Sequence, residues 1–223
     1  MMSEEGNNEK MKKGIIFDLD GTLWDSTEQV VKSWNHVMHG CKDTDCIMTT
    51  EIMKGLMGKT IKEIAGIILS DVTEERGLEI MKECCIEETA YLNKHGGVLY
   101  PKLEETLKEL SESYGLYIVS NCQEGYIESF LKYHGLEKYF IDFENHGRTN
   151  LSKGENIKLI MKRNKLDKAV YVGDTQGDCD AAGLAGIPFI HASYGFGSVN
   201  RKTYSINNIN ELPELIKKGR QVV

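Results

Sequence analysis

Four short apolar runs, each closed by a polar turn, do most to limit the fold: GIIFDLDG at 14–21, LYIVSN at 116–121, AVYVGD at 169–174 and IPFIHA at 187–192. Each is short and rich in β-branched or aromatic residues, which reads as a buried strand. Helical patterns lie between them. KLEETLKELSESYG (102–115) carries leucines at 103, 107 and 110 with charges filling the other face, and GYIESFLKYHGLEKYF (125–140) and KGENIKLIMKRNKL (153–166) behave alike. DCDAAGLAGI (178–187) reads as a short helix capped by Asp178 or Asp180. Strands alternating with helices predict an α/β fold with a parallel sheet covered on both faces.

Residues 26–98 break that alternation. TEQVVKSWNHVM, TIKEIAGIIL and EERGLEIMKECCIEETAYLNKH are helical in period, with no convincing strand among them. The stretch ends at Gly96, Gly97 and Pro101, where the alternation begins. It is expected to form a second, helical domain inserted after the first strand. The core would then comprise 13–25 and 99–223, and the polar residues 1–12 a disordered tail.

A net charge of −7 argues against nucleic acid or an anionic membrane as the main partner. It leaves a small anionic substrate open, because the local field of a site can oppose the global charge. No run of about 18 apolar residues is present, so no spanning helix is expected. The N-terminus lacks the apolar centre of a signal peptide. The six cysteines form no CxxC pair or regular framework and read as free thiols in a reducing cytosol, which makes a cytoplasmic chain the expectation.

Chemistry is expected at the carboxyl ends of the strands, where ligands sit in parallel α/β sheets. The first strand delivers Asp18 and Asp20, two residues apart and so starting on the same side. The second delivers Ser120 and Asn121, and the third delivers Asp174, with Asp178 four residues on. Four carboxylates meeting in one crevice repel unless a cation joins them. A Mg²⁺ ion with few protein carboxylates, waters and a substrate phosphate fits that need. Lys153 follows a loop and opens a predicted helix, placed to balance a phosphate and a nucleophilic carboxylate. Ser120, Asn121 and Thr22 are candidates to hydrogen-bond phosphate oxygens.

DLDGT, the strand-terminal VSN, the loop lysine and GDTQGD occur in an order that resembles the haloacid dehalogenase-like (HAD) hydrolase superfamily, from residue 15 to about 197. The resemblance implies a Rossmann-like core with a helical cap over 26–98. It also implies Mg²⁺-dependent phosphoryl transfer through an aspartyl-phosphate. Carried over, Asp18 is the nucleophile, Asp20 the general acid and base, and Ser120 a phosphoryl ligand. Lys153 stabilises the phosphoryl group and Asp18. The metal is held by Asp18, the backbone carbonyl of Asp20 and Asp174, with Asp178 holding the ion or its waters. A carboxylate is a weak nucleophile, and metal and lysine neutralise the charge it meets on an anionic phosphate.

GLMGKT (55–60) resembles the specificity loop of such a cap, with Gly58 and Lys59 facing the substrate. A lysine there suits a carboxylate or second phosphate on the substrate. YGFG (194–197) looks like the loop after the last core strand in phosphoglycolate phosphatase-like members. The leading expectation is thus a phosphatase for a small phosphorylated metabolite, acting as a monomer or homodimer. A β-phosphoglucomutase-like mutase is the first rival, disfavoured by Thr22 after DLDG, where such mutases resemble DLDGV. Pyrophosphatase and nucleotidase activities rank lower. Carbon–phosphorus cleavage needs a Schiff-base lysine, and Lys54 or Lys59 cannot be given that role from sequence. Dehalogenation needs neither Asp20 nor a metal. A receiver-like phosphate store is shorter, without a cap, and defeated by a group placed like Asp20. His36, His39, His95 and His191 lack partner ligands, Cys122 and Cys179 read as packing residues, and Trp24 and Trp34 as packing for the first loop and the cap.

Overall fold

A computed structural model describes residues 12–218, so residues 1–11 of the expected tail lie outside the described residues. Lys12 itself joins the fold: its carbonyl accepts from the Asp167 N–H at 2.9 Å and its N–H donates to Asp167 Oδ2 at 2.7 Å.

The first strand, β1 (Lys13–Phe17), is followed by the two-residue β2 (Trp24–Asp25) and by four helices. These are α1 (Thr27–Gly40), α2 (Thr50–Leu56), α3 (Ile61–Ile68) and α4 (Glu74–His95). Threonines start three of them. Thr49, Thr60 and Thr73 each accept a backbone N–H of the first turn, and Thr60 forms a reciprocal capping box with Glu63. The chain returns through β3 (Val98–Leu99), which pairs antiparallel with β2. The helical segment therefore leaves and rejoins the core along one two-stranded ribbon. α4 is its spine, packing on α1 and α3 within the segment and on a core helix beyond it.

The rest alternates: α5 (Leu103–Ser111), β4 (Gly115–Ser120), α6 (Tyr126–His134), β5 (Phe140–Asn145), α7 (His146–Thr149), α8 (Lys153–Asn164) and β6 (Lys168–Gly173). Then come α9 (Gln176–Ala185), β7 (Phe189–Ala192), β8 (Tyr204–Ile206) and α10 (Leu212–Lys218). Among the described residues these strands form one parallel six-stranded sheet in the order β5-β4-β1-β6-β7-β8. The α/β, Rossmann-like expectation holds. Strand parity sorts the core into two layers. Ile15, Phe17, Ile118, Val170 and Val172 pack on one face, while Ile16, Tyr117, Val119 and Tyr171 meet Ile157, Ile160 and Cys179 of α8 and α9 on the other. β1 lies between β4 and β6 and the chain winds away from it on both sides, which places the switch point at the end of β1.

Three elements differ from the sequence reading. The pattern read as one helix over 125–140 stops at Gly135, whose φ of +65° ends α6 in the left-handed region, and Phe140 opens β5. β5 was hidden by its charges: Asp142 and Glu144 are held by Arg163 at 2.8 and 2.9 Å, and Arg148 adds a second contact to Glu144 at 2.7 Å. β8 extends the sheet beyond YGFG, so that loop does not follow the last strand, and α10 closes the described chain. All six cysteines are free. No helix among the described residues is long and apolar enough to cross a membrane.

Candidate active site

The chain leaves β1 at Phe17 with Asp18 next, and the end of β6 delivers Asp174 beside it. Two capping boxes set the partners. Ser152 and Glu155 fix the start of α8, so Lys153 is its first residue and is buried. Thr175 and Asp178 fix the start of α9: Thr175 Oγ1 accepts from the Asp178 N–H at 3.2 Å and donates to Asp178 Oδ2 at 2.7 Å. The cap of that helix is thus Thr175, neither Asp178 nor Asp180, and Asp178 is free to turn its other oxygen inward.

Lys153 Nζ lies 2.9 Å from Asp18 Oδ1 and 2.6 Å from Asp178 Oδ1. Burial opposes its charge, but Asp178 and Asp18 outweigh burial and hold its pKa above the ordinary value. Asp174 Oδ2 accepts the backbone N–H groups of Phe196 at 2.7 Å and Gly197 at 3.3 Å, while its Oδ1 is buried with no partner. Burial, then the Asp178 charge, pushes Asp174 up to about 7, and the same two causes raise Asp18 well above the carboxylate range. Among the described residues, oxygens of Asp18, Asp174 and Asp178 all lie within 4.8 Å of one another. Three buried carboxylates against one lysine, with an orphaned Asp174 oxygen, form a donor set that fits a hard divalent cation. Gly21, at φ +79°, lets the first loop press against Asp174: a Cβ there would sit 2.7 Å from the Asp174 carboxyl carbon and 2.9 Å from Phe196.

Asp20 does not share that cluster. The turn at Gly21 swings its carboxylate away, and its Oδ1 accepts from Trp24 Nε1 at 2.9 Å, Ser26 Oγ at 2.7 Å and Tyr126 Oη at 2.8 Å. Burial raises its pKa against these three donors. The first two acids therefore begin on one side of a strand and end in different surroundings, one beside a lysine and the other gripped by neutral donors.

Ser120 ends β4 and lines a cavity of about 50 Å³ between the core and the helices, as do Asp20, Asn121, Gly58 and Lys59. Asn121 Nδ2 donates to the Gly58 carbonyl at 2.8 Å, which ties the α2–α3 loop to the end of β4. Its Oδ1 is buried without a partner. Lys59 is exposed. The Thr22 hydroxyl is buried and unpartnered, and Thr22 lies outside the cavity lining. Phe196 and Gly197, within YGFG, act through their backbone. Tyr194 of that loop donates to the Thr22 carbonyl at 2.8 Å.

With this geometry in view, comparison with known proteins is decisive on family. The model of the haloacid dehalogenase-like hydrolases matches residues 15–192. The chain belongs to that family. Among curated relatives of this hydrolase, a phosphoglycolate phosphatase of Vibrio parahaemolyticus is 25% identical over 224 residues, covering 92% of this chain and 96% of its own. One of Aquifex aeolicus is 26% identical over 212 residues, covering 91% and 95%. A solved haloacid dehalogenase-like hydrolase from Streptococcus pneumoniae superposes with a TM-score of 0.77 at 21% identity, over 92% of this chain and 98% of its own.

Several groups at the hydrolase's site had no signal in sequence. Ser26 and Tyr126 join Trp24 on Asp20, so Trp24 does more than pack the loop. His191 Nε2 lies 3.1 Å from the Asp174 carbonyl oxygen. Trp34 and Gln123 both donate to Glu88, at 2.9 and 3.0 Å. The ordered acids were visible because they fall at strand ends; these partners lie on helices, loops and strands, where the neighbour a side chain meets depends on packing.

Proposed function

We propose that this hydrolase is a Mg²⁺-dependent phosphatase that cleaves a small phosphomonoester through an aspartyl-phosphate on Asp18. The observation that carries this reading is the buried Lys153 between Asp18 and Asp178, beside an Asp174 oxygen with no partner. The matching curated relatives, phosphoglycolate phosphatases, support a small phosphomonoester as the substrate class.

Asp18, Asp174 and Asp178 would hold the Mg²⁺, with the backbone carbonyl of Asp20 as a further ligand. When bound, the ion supplies neutralising charge for the phosphate oxygens. An Asp18 oxygen attacks phosphorus while the ester oxygen departs, and Asp20 gives that oxygen its proton. Burial keeps Asp20 able to hold a proton, and Trp24, Ser26 and Tyr126 fix one of its oxygens so that the other faces the leaving group. Water then attacks phosphorus, Asp20 accepts the water proton, and the phosphorus–oxygen bond to Asp18 breaks. Lys153 balances the charge on Asp18 and the phosphoryl group, and Ser120 hydrogen-bonds the latter. The helices over 26–98 serve as the cap that excludes water from this exchange.

The test is phosphate release with and without Mg²⁺, for the wild type and Asp18→Asn, on phosphoglycolate, β-glucose 1-phosphate, pyrophosphate, nucleoside monophosphates and p-nitrophenyl phosphate. Release that needs both metal and Asp18 is expected. Conversion of β-glucose 1-phosphate to glucose 6-phosphate without release would replace the reading with a mutase.

A further inference from the structure

The cavity at the mouth of the site has an acceptor-rich, cation-poor wall. Most of its lining is apolar, including Val30, Trp34, Met53, Leu56, Ile61 and Ile64. Into it comes Glu88 from the middle of α4, only 3% exposed. Both of its donors, Trp34 Nε1 and Gln123 Nε2, bind the same oxygen, Oε2. Among the described residues no donor reaches Oε1. Asn121 Oδ1, in the same lining, is buried without a partner because the Asn121 amide is turned to Gly58.

A buried acceptor without a donor, as Asn121 Oδ1 is, costs about 1–3 kcal/mol, and Glu88 Oε1 beside it has no donor either, so a ligand that completes this wall brings donors with it. A carboxylate brings none. Lys59 is the one cationic side chain lining the cavity among the described residues, and it is exposed, where an ion pair contributes little. At about 50 Å³ the cavity has room for about four water-sized groups.

Resting on the phosphatase reading and narrowing it, we propose that Glu88 determines specificity: the leaving group is a short, uncharged alcohol bearing a further hydroxyl, which hydrogen-bonds Glu88 Oε1, and leaving groups ending in a carboxylate are rejected. Burial, opposed by the Trp34 hydrogen bond and reinforced by Asp20, pushes the Glu88 carboxyl up to about 8. A hydroxyl both donates and accepts, so it satisfies Oε1 with or without that proton; a carboxylate is left without a donor there once Oε1 is ionised, so the comparison is run at pH 9. An ammonium needs the ionised form.

The experiment compares kcat/KM for glycerol 3-phosphate, phosphoglycolate, ethanolamine phosphate and p-nitrophenyl phosphate in Mg²⁺, for wild type, Glu88→Gln and Asp18→Asn. Wild type should favour glycerol 3-phosphate over phosphoglycolate by about tenfold or more, the range a single buried polar contact supplies. Glu88→Gln should shrink that ratio by about fivefold or more. The wild-type ratio tests the proposal even if the variant does not fold. Asp18-dependent hydrolysis with phosphoglycolate level or ahead, with ethanolamine phosphate ahead, or with a ratio unmoved by Glu88→Gln overturns the Glu88 assignment alone. No Asp18-dependent hydrolysis of any ester overturns the phosphatase reading and this one together.

Discussion

On the core side of the site, Asp18, Asp174, Asp178 and Lys153 are all buried, and most of their polar atoms are held by neighbours from adjoining loops. On the helical side, Glu88 stands in an apolar wall with both donors on one oxygen. The first arrangement balances acids against a lysine at strand ends and leaves an Asp174 oxygen buried without a partner. The second balances very little and leaves its acceptors for whatever enters. On the proposed reading, bond making and breaking belong to the core and discrimination among leaving groups to the helices. Asp20 joins the halves, since its backbone follows β1 and it lines the cavity that Glu88 also lines.

Substitutions on the two sides should therefore fail in different ways. Asp18→Asn has the largest expected effect: hydrolysis of every ester falls by about a thousandfold or more, because an amide cannot take the phosphoryl as the Asp18 carboxylate does. Equal loss across substrates in steady-state kinetics checks it, and a substrate-dependent loss would break the division of labour. Lys153→Met comes next, with kcat down about a hundredfold on all substrates and stability also reduced, since removing the lysine leaves Asp18 and Asp178 buried against each other. Thermal unfolding with and without Mg²⁺ separates the two losses, because bound cation should recover stability more than rate.

Tyr126→Phe removes one of three donors to Asp20 Oδ1. Kcat should fall about tenfold with KM little changed, the loss of one hydrogen bond to an ionisable group. The smallest effect is on stability and uses Glu88. Its carboxyl titrates near 8 when folded against an ordinary 4.5, so the folded state binds the extra proton between those values. Stability should then fall as pH rises through that window, by at most about 1.4 kcal/mol per pH unit, and Glu88→Gln should flatten the slope. Urea unfolding at pH 6 and pH 9 measures the difference. A parallel slope in both proteins would mean that Glu88 is not the buried acid described.

Much of the sheet was legible because apolar runs ending in Gly or Asp carry their own period: β1, β4, β6 and β7 fall on the stretches read as strands, the first three starting one residue earlier. β5 was not, since FIDFEN alternates with acids that only Arg163 and Arg148 make tolerable in a strand. The six residues that separate Gly135 from the strand's first acids carry no local signal of where α6 stops beyond that glycine.

The sequence by itself determined the ordered acids, the lysine and the family, because strand ends and helix starts are local features and their order along the chain is preserved in space. Tertiary structure alone decided where the carboxylates point. Asp20 leaves the company of Asp18 because Tyr126, 106 positions away, reaches it along with Trp24 and Ser26. Glu88 becomes a wall of the cavity because α1 packs on α4, bringing Trp34 to it across 54 positions. Side-chain direction at such sites is set by which helix faces which, and helical period fixes a face without naming its neighbour.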